Sequence, residues 1–173
     1  MSNKLNTKGY TGNLLGDIRR TNNFTLTIQG VSAEDNNLEL VVDRAFIPSL
    51  EIGVITLTHG NDSKTFAGQA TWQGGEVTIN DTLNKAELDA LIEWQKEVYD
   101  PETGAVGHAH VYKKLATLTE FSGNAQYVRE WTFPVWISGL RFGDLDASNA
   151  NLKQVSATLQ VDPPEKLGPT YGY

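Results

Sequence analysis

"AQYVREWTFPVWISGL", residues 125–140, is the stretch on which the fold turns. Tyr127, Arg129, Trp131, Phe133, Val135 and Ile137 fall on every second position, so in an extended chain they share one face. Pro134 within the run predicts an edge position or a bulge, because proline donates no ladder hydrogen bond. On its C-terminal side, "LKQVSATLQVD" (152–162) alternates cleanly. Val155, Ala157, Leu159 and Val161 point inward, and Gln154, Ser156, Thr158 and Gln160 point outward. On its N-terminal side, "HAHVYKKLATLTEF" (108–121) reads as another long strand, joined to it at "SGN".

Further strands precede these. "NFTLTIQGV" sets Phe24, Leu26 and Ile28 against Thr25, Thr27 and Gln29. After the turn cluster "SAEDNN" (32–37), "LELVVDRAF" (38–46) resumes strand-like sequence until Pro48. "SLEIGVITLTHG" (49–60) predicts a strand running into a polar loop at "HGNDSK", with strands again around 64–72 and 76–80 near Gly74-Gly75. One segment breaks the pattern: "NKAELDALIEWQKEVYD" (84–100) spaces Leu88, Leu91, Ile92, Val98 and Tyr99 as one helical stripe. Asn84 with Glu87 resembles a capping box, and Pro101 stops the helix through the residue before it. The expectation is a mainly β (α+β) chain: two antiparallel sheets forming a β-barrel or sandwich, with one flanking helix at about 84–99. Residues 1–22 read as an N-terminal arm, 23–162 as a single domain and 163–173 as a C-terminal tail.

With 173 residues the chain is large enough for one domain with its own core. It has no cysteine, which excludes disulfides, thiolate catalysis and cysteine-ligated metals. No apolar run approaches a membrane span and the first residues lack a signal-peptide core, so a soluble cytoplasmic product is expected. The net charge of −7 is uneven. Lys4, Lys8, Arg19 and Arg20 against Asp17 give residues 1–20 a net +3, leaving −10 for the rest. An acidic body repels nucleic acid, whose binding needs phosphate-neutralising cations.

The richest candidate chemistry lies in "WQKEVYDPETGAVGHAHVYKK" (94–114). His108 and His110, two apart on a strand, would point the same way and suit metal ligation, with Asp100 or Glu102 supplying further ligands. His59 is distant in sequence. The plainer reading is a connection between a helix and a strand. "GDLDASNANLKQV" (143–155) imitates a calcium loop through Asp144, Asp146 and Ser148. Asn149 and Val155 stand where glycine and glutamate are required, so it reads as a polar turn. "GNDSKT" (60–65) lacks phosphate-loop spacing, no nucleophile elbow is present, and Glu87, Asp89, Glu93 and Glu97 follow the helix's solvent stripe. No catalytic, cofactor-binding or metal site is expected, and no cofactor. A strand-rich domain with two arms and many aromatics fits an assembly protein. A carbohydrate-binding sandwich that uses exposed tryptophans, or a metal enzyme, is the rival class.

Taken in order, "LIEWQKEVYDPETGAVGH", "YKKLATLTEF" and "REWTFPVWISGLRFGDLDASNANLKQVSATLQVD" resemble the tail tube proteins of contractile-tailed bacteriophages. "NFTLTIQGV" looks like that family's first strand, and "FAGQATW" (66–72) like the stretch before its helix, with Ala67 where proline is common. The resemblance spans roughly 22–162 and is most specific over 91–162.

That resemblance implies a non-enzymatic virion protein, assembled in the bacterial cytoplasm. Six subunits would form a ring, their inner strands would join around a lumen, and the rings would stack head to tail. The implied partners are further copies of the chain, the sheath, the tape-measure protein, and the baseplate and terminator proteins. DNA would pass through without specific binding, along a bore expected to be net negative. Related tubes belong to contractile bacteriocins and type VI secretion systems. The arms and the 56–68 loop are expected to contact neighbouring subunits or rings.

Overall fold

The computed structural model describes residues 23–31, 37–39, 42–80, 86–121, 127–143, 153–166 and 168–171. The N-terminal arm, the Asn84 cap and the Asp144, Asp146 and Ser148 turn lie outside the described residues.

The chain is mainly β. Its strands run β1 (Phe24–Gln29), β2 (Asn37–Glu39), β3 (Val42–Arg44), β4 (Ser49–His59), β5 (Asp62–Gln73) and β6 (Gly75–Asn80). Helix α1 (Ala86–Val98) follows, then β7 (Tyr99–Asp100), β8 (Ala105–Val106) and the single turn α2 (Ala109–Tyr112). Strands β9 (Lys114–Phe121), β10 (Tyr127–Arg141), β11 (Gln154–Val161) and β12 (Thr170–Tyr171) complete the order.

Eight strands make one antiparallel sheet in the order β2-β1-β9-β10-β11-β6-β3, with β12 beside β10. The two edge strands are close in sequence, since Glu39 and Val42 are three Cα–Cα steps apart, at most about 11 Å. The sheet must therefore curl until its edges approach. The mainly β, antiparallel fold expected from the sequence holds, with β4–β5 and β7–β8 as separate two-stranded sheets; hydrogen bonds do not close the large sheet into a barrel among the described residues.

Alternation along each strand fills the concave side. Leu26 and Ile28, Ala116 and Leu118, Phe133, Val135 and Ile137, Val155, Ala157, Leu159 and Val161, and Val77 and Ile79 are all buried. The inward and outward sets expected for 152–162 hold as stated. On β10 the alternation holds from Arg129 through Ile137; the register shifts between Tyr127 and Arg129, and a second bulge after Ile137 brings Leu140 back toward the core. Pro134 sits where β11 ends: its carbonyl accepts Asp162 N–H at 3.1 Å. The N–H it lacks would point the same way, past the end of that ladder.

Helix α1 covers the core with Ala90, Leu91 and Trp94, the last only 1% exposed. Tyr99, expected on the buried stripe, is exposed because the helix has already ended and β7 has begun. Glu97 is likewise not a purely solvated carboxylate; it pairs with Lys114 at 2.9 Å. No described helix is long and apolar enough to cross a membrane.

Another correction concerns 108–112, which forms a helical turn and not the start of a strand. Val111 N–H donates to the His108 carbonyl at 2.9 Å and Lys113 N–H to that of Ala109 at 3.0 Å. A turn this short leaves its last carbonyls free. Tyr112 O accepts the indole N–H of Trp94 at 2.7 Å, so the buried tryptophan's polar end is satisfied. The Tyr112 ring meets Trp136 edge-on at 5.9 Å.

Candidate assembly surface

Strands β3 and β6 pair at the sheet edge, and their continuations β4 and β5 pair with each other. The two form one ribbon that leaves the sheet at 45–48 and Gly74. The exit is tight: a Cβ on Gly74 would lie 2.1 Å from the Leu159 carbonyl oxygen, and one on Gly75 would overlap the Phe46 ring at 2.4 Å. Glycine is required at this crossing because backbone passes against backbone.

The expected polar loop at 56–68 is instead the distal half of this ribbon. His59 and Asp62 pair across a two-residue Gly60-Asn61 turn, with Gly60 at φ +63°. Tight hairpins need positive φ there, which glycine and asparagine supply readily. A register shift between Ile52 and Val54, where Gly53 and Gly68 face each other closely, twists the ribbon midway.

Cross-strand register sorts the distal side chains onto two faces. Ile55 opposes Phe66 and Leu57 opposes Lys64 on one; Thr56 opposes Thr65 and Thr58 opposes Ser63 on the other. The first face is apolar and uncovered: Leu57 is 60% exposed, Ile55 58% and Phe66 54%. At the root, by contrast, Leu50 and Trp72 are half-buried, and Trp72 packs against the core. Contiguous exposed apolar side chains of this kind make the face a candidate interaction surface. An isolated two-stranded ribbon is also marginal in water, and both edges of this one are unpaired among the described residues.

The tail folds back on its own sheet: β12 pairs Tyr171 with Arg129 and Thr170 with Glu130. Beside that edge Glu120 Oε1 accepts from Arg129 Nε at 2.7 Å and Trp131 Nε1 at 2.9 Å, and the guanidinium lies 5.4 Å from the Trp131 ring centre. This knot fixes Trp131 at the margin of the core.

The residues singled out for metal chemistry take other parts. Asp100 organises the turn: Oδ2 accepts Thr103 Oγ1 at 2.8 Å and Oδ1 accepts Glu102 N–H at 3.0 Å. These two bonds, the first foremost, hold its carboxyl below the usual 3.8. The turn is completed by Gly104 at φ +69°, and Gly107 lies so close to the Glu97 carbonyl that no Cβ would fit. His108 and His110 stack on each other at 5.7 Å, on the single turn α2 and its cap. His59 is at the ribbon's tip. Among the described residues no three such side chains converge on one point.

No protein-family model matches the sequence, and no curated protein is detectably similar to it. Solved structures are. A chain of the sixfold-symmetrised baseplate of the anti-feeding prophage aligns with a TM-score of 0.68 at 12% identity, covering 86% of this chain and 95% of that one. A chain of the extended sheath–tube complex of an extracellular contractile injection system, PVC, gives 0.62 at 14%, covering 91% and 95%. One from the anti-feeding prophage's tube-terminating cap gives 0.63 at 14%, covering 95% and 99%. The chain thus has the fold of proteins found in the tubes, baseplates and caps of contractile injection assemblies.

Proposed function

We propose that this chain is the structural subunit of the inner tube of a contractile phage tail, with no catalytic role. Six copies form a ring, and rings stack head to tail around a bore through which DNA leaves. A sheath surrounds the tube, a tape-measure protein occupies it during assembly, and baseplate and terminator proteins close its ends. The net-acidic body gives a bore that does not hold phosphates. The N-terminal arm orders against neighbouring subunits.

The observation that carries this reading is the β4–β5 ribbon. Its apolar row Ile55, Leu57 and Phe66 and its two open edges need another copy to cover them. A contact between unlike surfaces of identical chains closes into rings or continues as a filament. The shared fold with chains of contractile assemblies supports the same reading.

Sedimentation velocity tests it. Six chains of 19.0 kDa make a ring of about 114 kDa, with larger stacks at higher concentration. A folded chain that stays at 19.0 kDa at every concentration contradicts it.

A second reading, the tube of a bacteriocin or secretion device, is favoured by one observation: one of the similar folds comes from an injection system described as extracellular. Genome neighbourhood separates the two, since capsid and portal genes accompany a phage tail alone.

A further inference from the structure

Between β12 and β11, one side of strand β10 has no ladder partner among the described residues. β12 pairs with Arg129 and Glu130, the pairing with β11 begins at Val135, and Trp131–Phe133 have no ladder partner on that side among the described residues. Residues 162–166 and 168–171 of the tail lie along this gap. The tail is tied at one end by the Asp162 N–H to Pro134 O bond and the Lys113–Asp162 ion pair, and at the other by the two register pairs of β12. In between, Pro164, Gly168 and Pro169 are half-buried. Clefts remain on both sides of it, one between Pro164 of the tail and Leu50, Trp72, Trp131 and Phe133, the other between Glu165 of the tail and Leu115 and Pro134, with Lys166 and Gly168 bordering both. Glu165, Lys166, Thr170 and Tyr171 are exposed. Gly168, at φ +101°, makes the bend.

We infer that the tail 163–171 is a strap holding the place of a second copy's β4–β5 ribbon, which displaces it and docks along this edge of β10. This rests on the tube reading above. The two surfaces are complementary in kind. The recess offers an unpaired strand edge and an apolar floor; the ribbon offers unpaired edges and the apolar row Ile55, Leu57 and Phe66. Adding a strand to a sheet edge satisfies the backbone while the side chains fill the recess. Charge agrees, since Lys64 lies in the apolar row while Glu51, next to Leu50, and Glu130, under the strap's end, are acidic. The ribbon of the same chain does not serve, because it is rooted at Leu50 and Trp72 on the recess wall and its distal residues stand in solvent. Among the described residues β12 and β10 share two register pairs where β9 and β10 share eight, so the strap is the shorter ladder to open. Its presence keeps free chains from pairing through an exposed edge before a ring grows.

The chain has no cysteine, so a reversible lock is available. Glu130 and Thr170 are direct cross-strand partners, a spacing that accepts a disulfide. In the Glu130→Cys/Thr170→Cys variant, oxidation should slow assembly at least tenfold by light scattering, and reduction should restore it. Equal rates for the oxidised and reduced forms overturn the strap. A variant truncated after Asp162 checks the same point without the lock: it should assemble at a lower concentration than the full chain. If it keeps its melting transition but does not assemble, the tail is part of the contact and the inference is wrong. A full-length chain that never assembles sinks the tube reading and the strap together; assembly indifferent to both changes sinks the strap alone.

Discussion

Trp94, in the second half of helix α1, donates its indole N–H to the carbonyl oxygen of Tyr112 at 2.7 Å. This bond joins the helix to the turn that launches β9, and through the Tyr112–Trp136 contact to β10. Trp94→Phe keeps most of the buried bulk but leaves that carbonyl unpaired, which should cost about 1–3 kcal/mol. Trp94→Ala adds a cavity and should cost about 3–5 kcal/mol. Urea unfolding reads both; a Phe variant as stable as the parent would show the bond to be incidental.

The ribbon's direction depends on Gly74. Gly74→Ala drives a methyl into the Leu159 carbonyl, so either the ribbon or β11 must move. The expected result is a melting temperature lower by several degrees together with lost assembly. Gly60→Ala meets nothing within 4 Å and strains only a positive φ, so it should cost about 1 kcal/mol. Equal effects at the two glycines would count against the close-approach account.

Leu57→Lys and Phe66→Ser separate folding from assembly. Both side chains are more than half exposed in the single chain, so stability should change by less than about 0.5 kcal/mol. Assembly should be lost in both. Tubes that form normally from Leu57→Lys would remove the ribbon from the interface.

Acid titration tests the 100–104 turn. The Asp100 carboxyl is held below 3.8 by its bonds from Thr103 and Glu102, so it is ionised more readily in the folded chain. Its contribution is therefore complete above 3.8, falls as the pH drops below that value, and is gone below the folded-state pKa. Thr103→Ala should be less stable than the parent near neutral pH, and the difference should shrink on acidification. A difference that stays constant to the bottom of the acid limb would assign the effect to something other than this carboxylate.

Much of this was legible from residue order, because period-two alternation reports the buried face directly. Val155 to Val161 and Leu26 to Ile28 needed no tertiary information. The helix was legible too, and its anchor lay on the stripe, since Trp94 falls three residues after Leu91 and four before Val98. What spacing does not show is the carbonyl 18 residues away that satisfies the indole N–H. The same cause hid the turn at 109–112, whose value lies in what it offers Trp94. Gly60-Asn61 after the β-branched run of β4 was a readable hairpin signal, overshadowed by the polar residues that follow it. That the ribbon stands free of the sheet could not be read locally, since its apolar row looks like any core strand. The histidines and carboxylates of 94–114 suggested chemistry only because spacing along the chain does not say where each side chain is used.

Electron microscopy of the purified full-length chain tests the central claim most directly. The account predicts hollow rings with sixfold class averages, stacking into tubes as concentration rises. A folded chain that yields only particles of monomer size, at concentrations where its ribbon remains exposed, would contradict it.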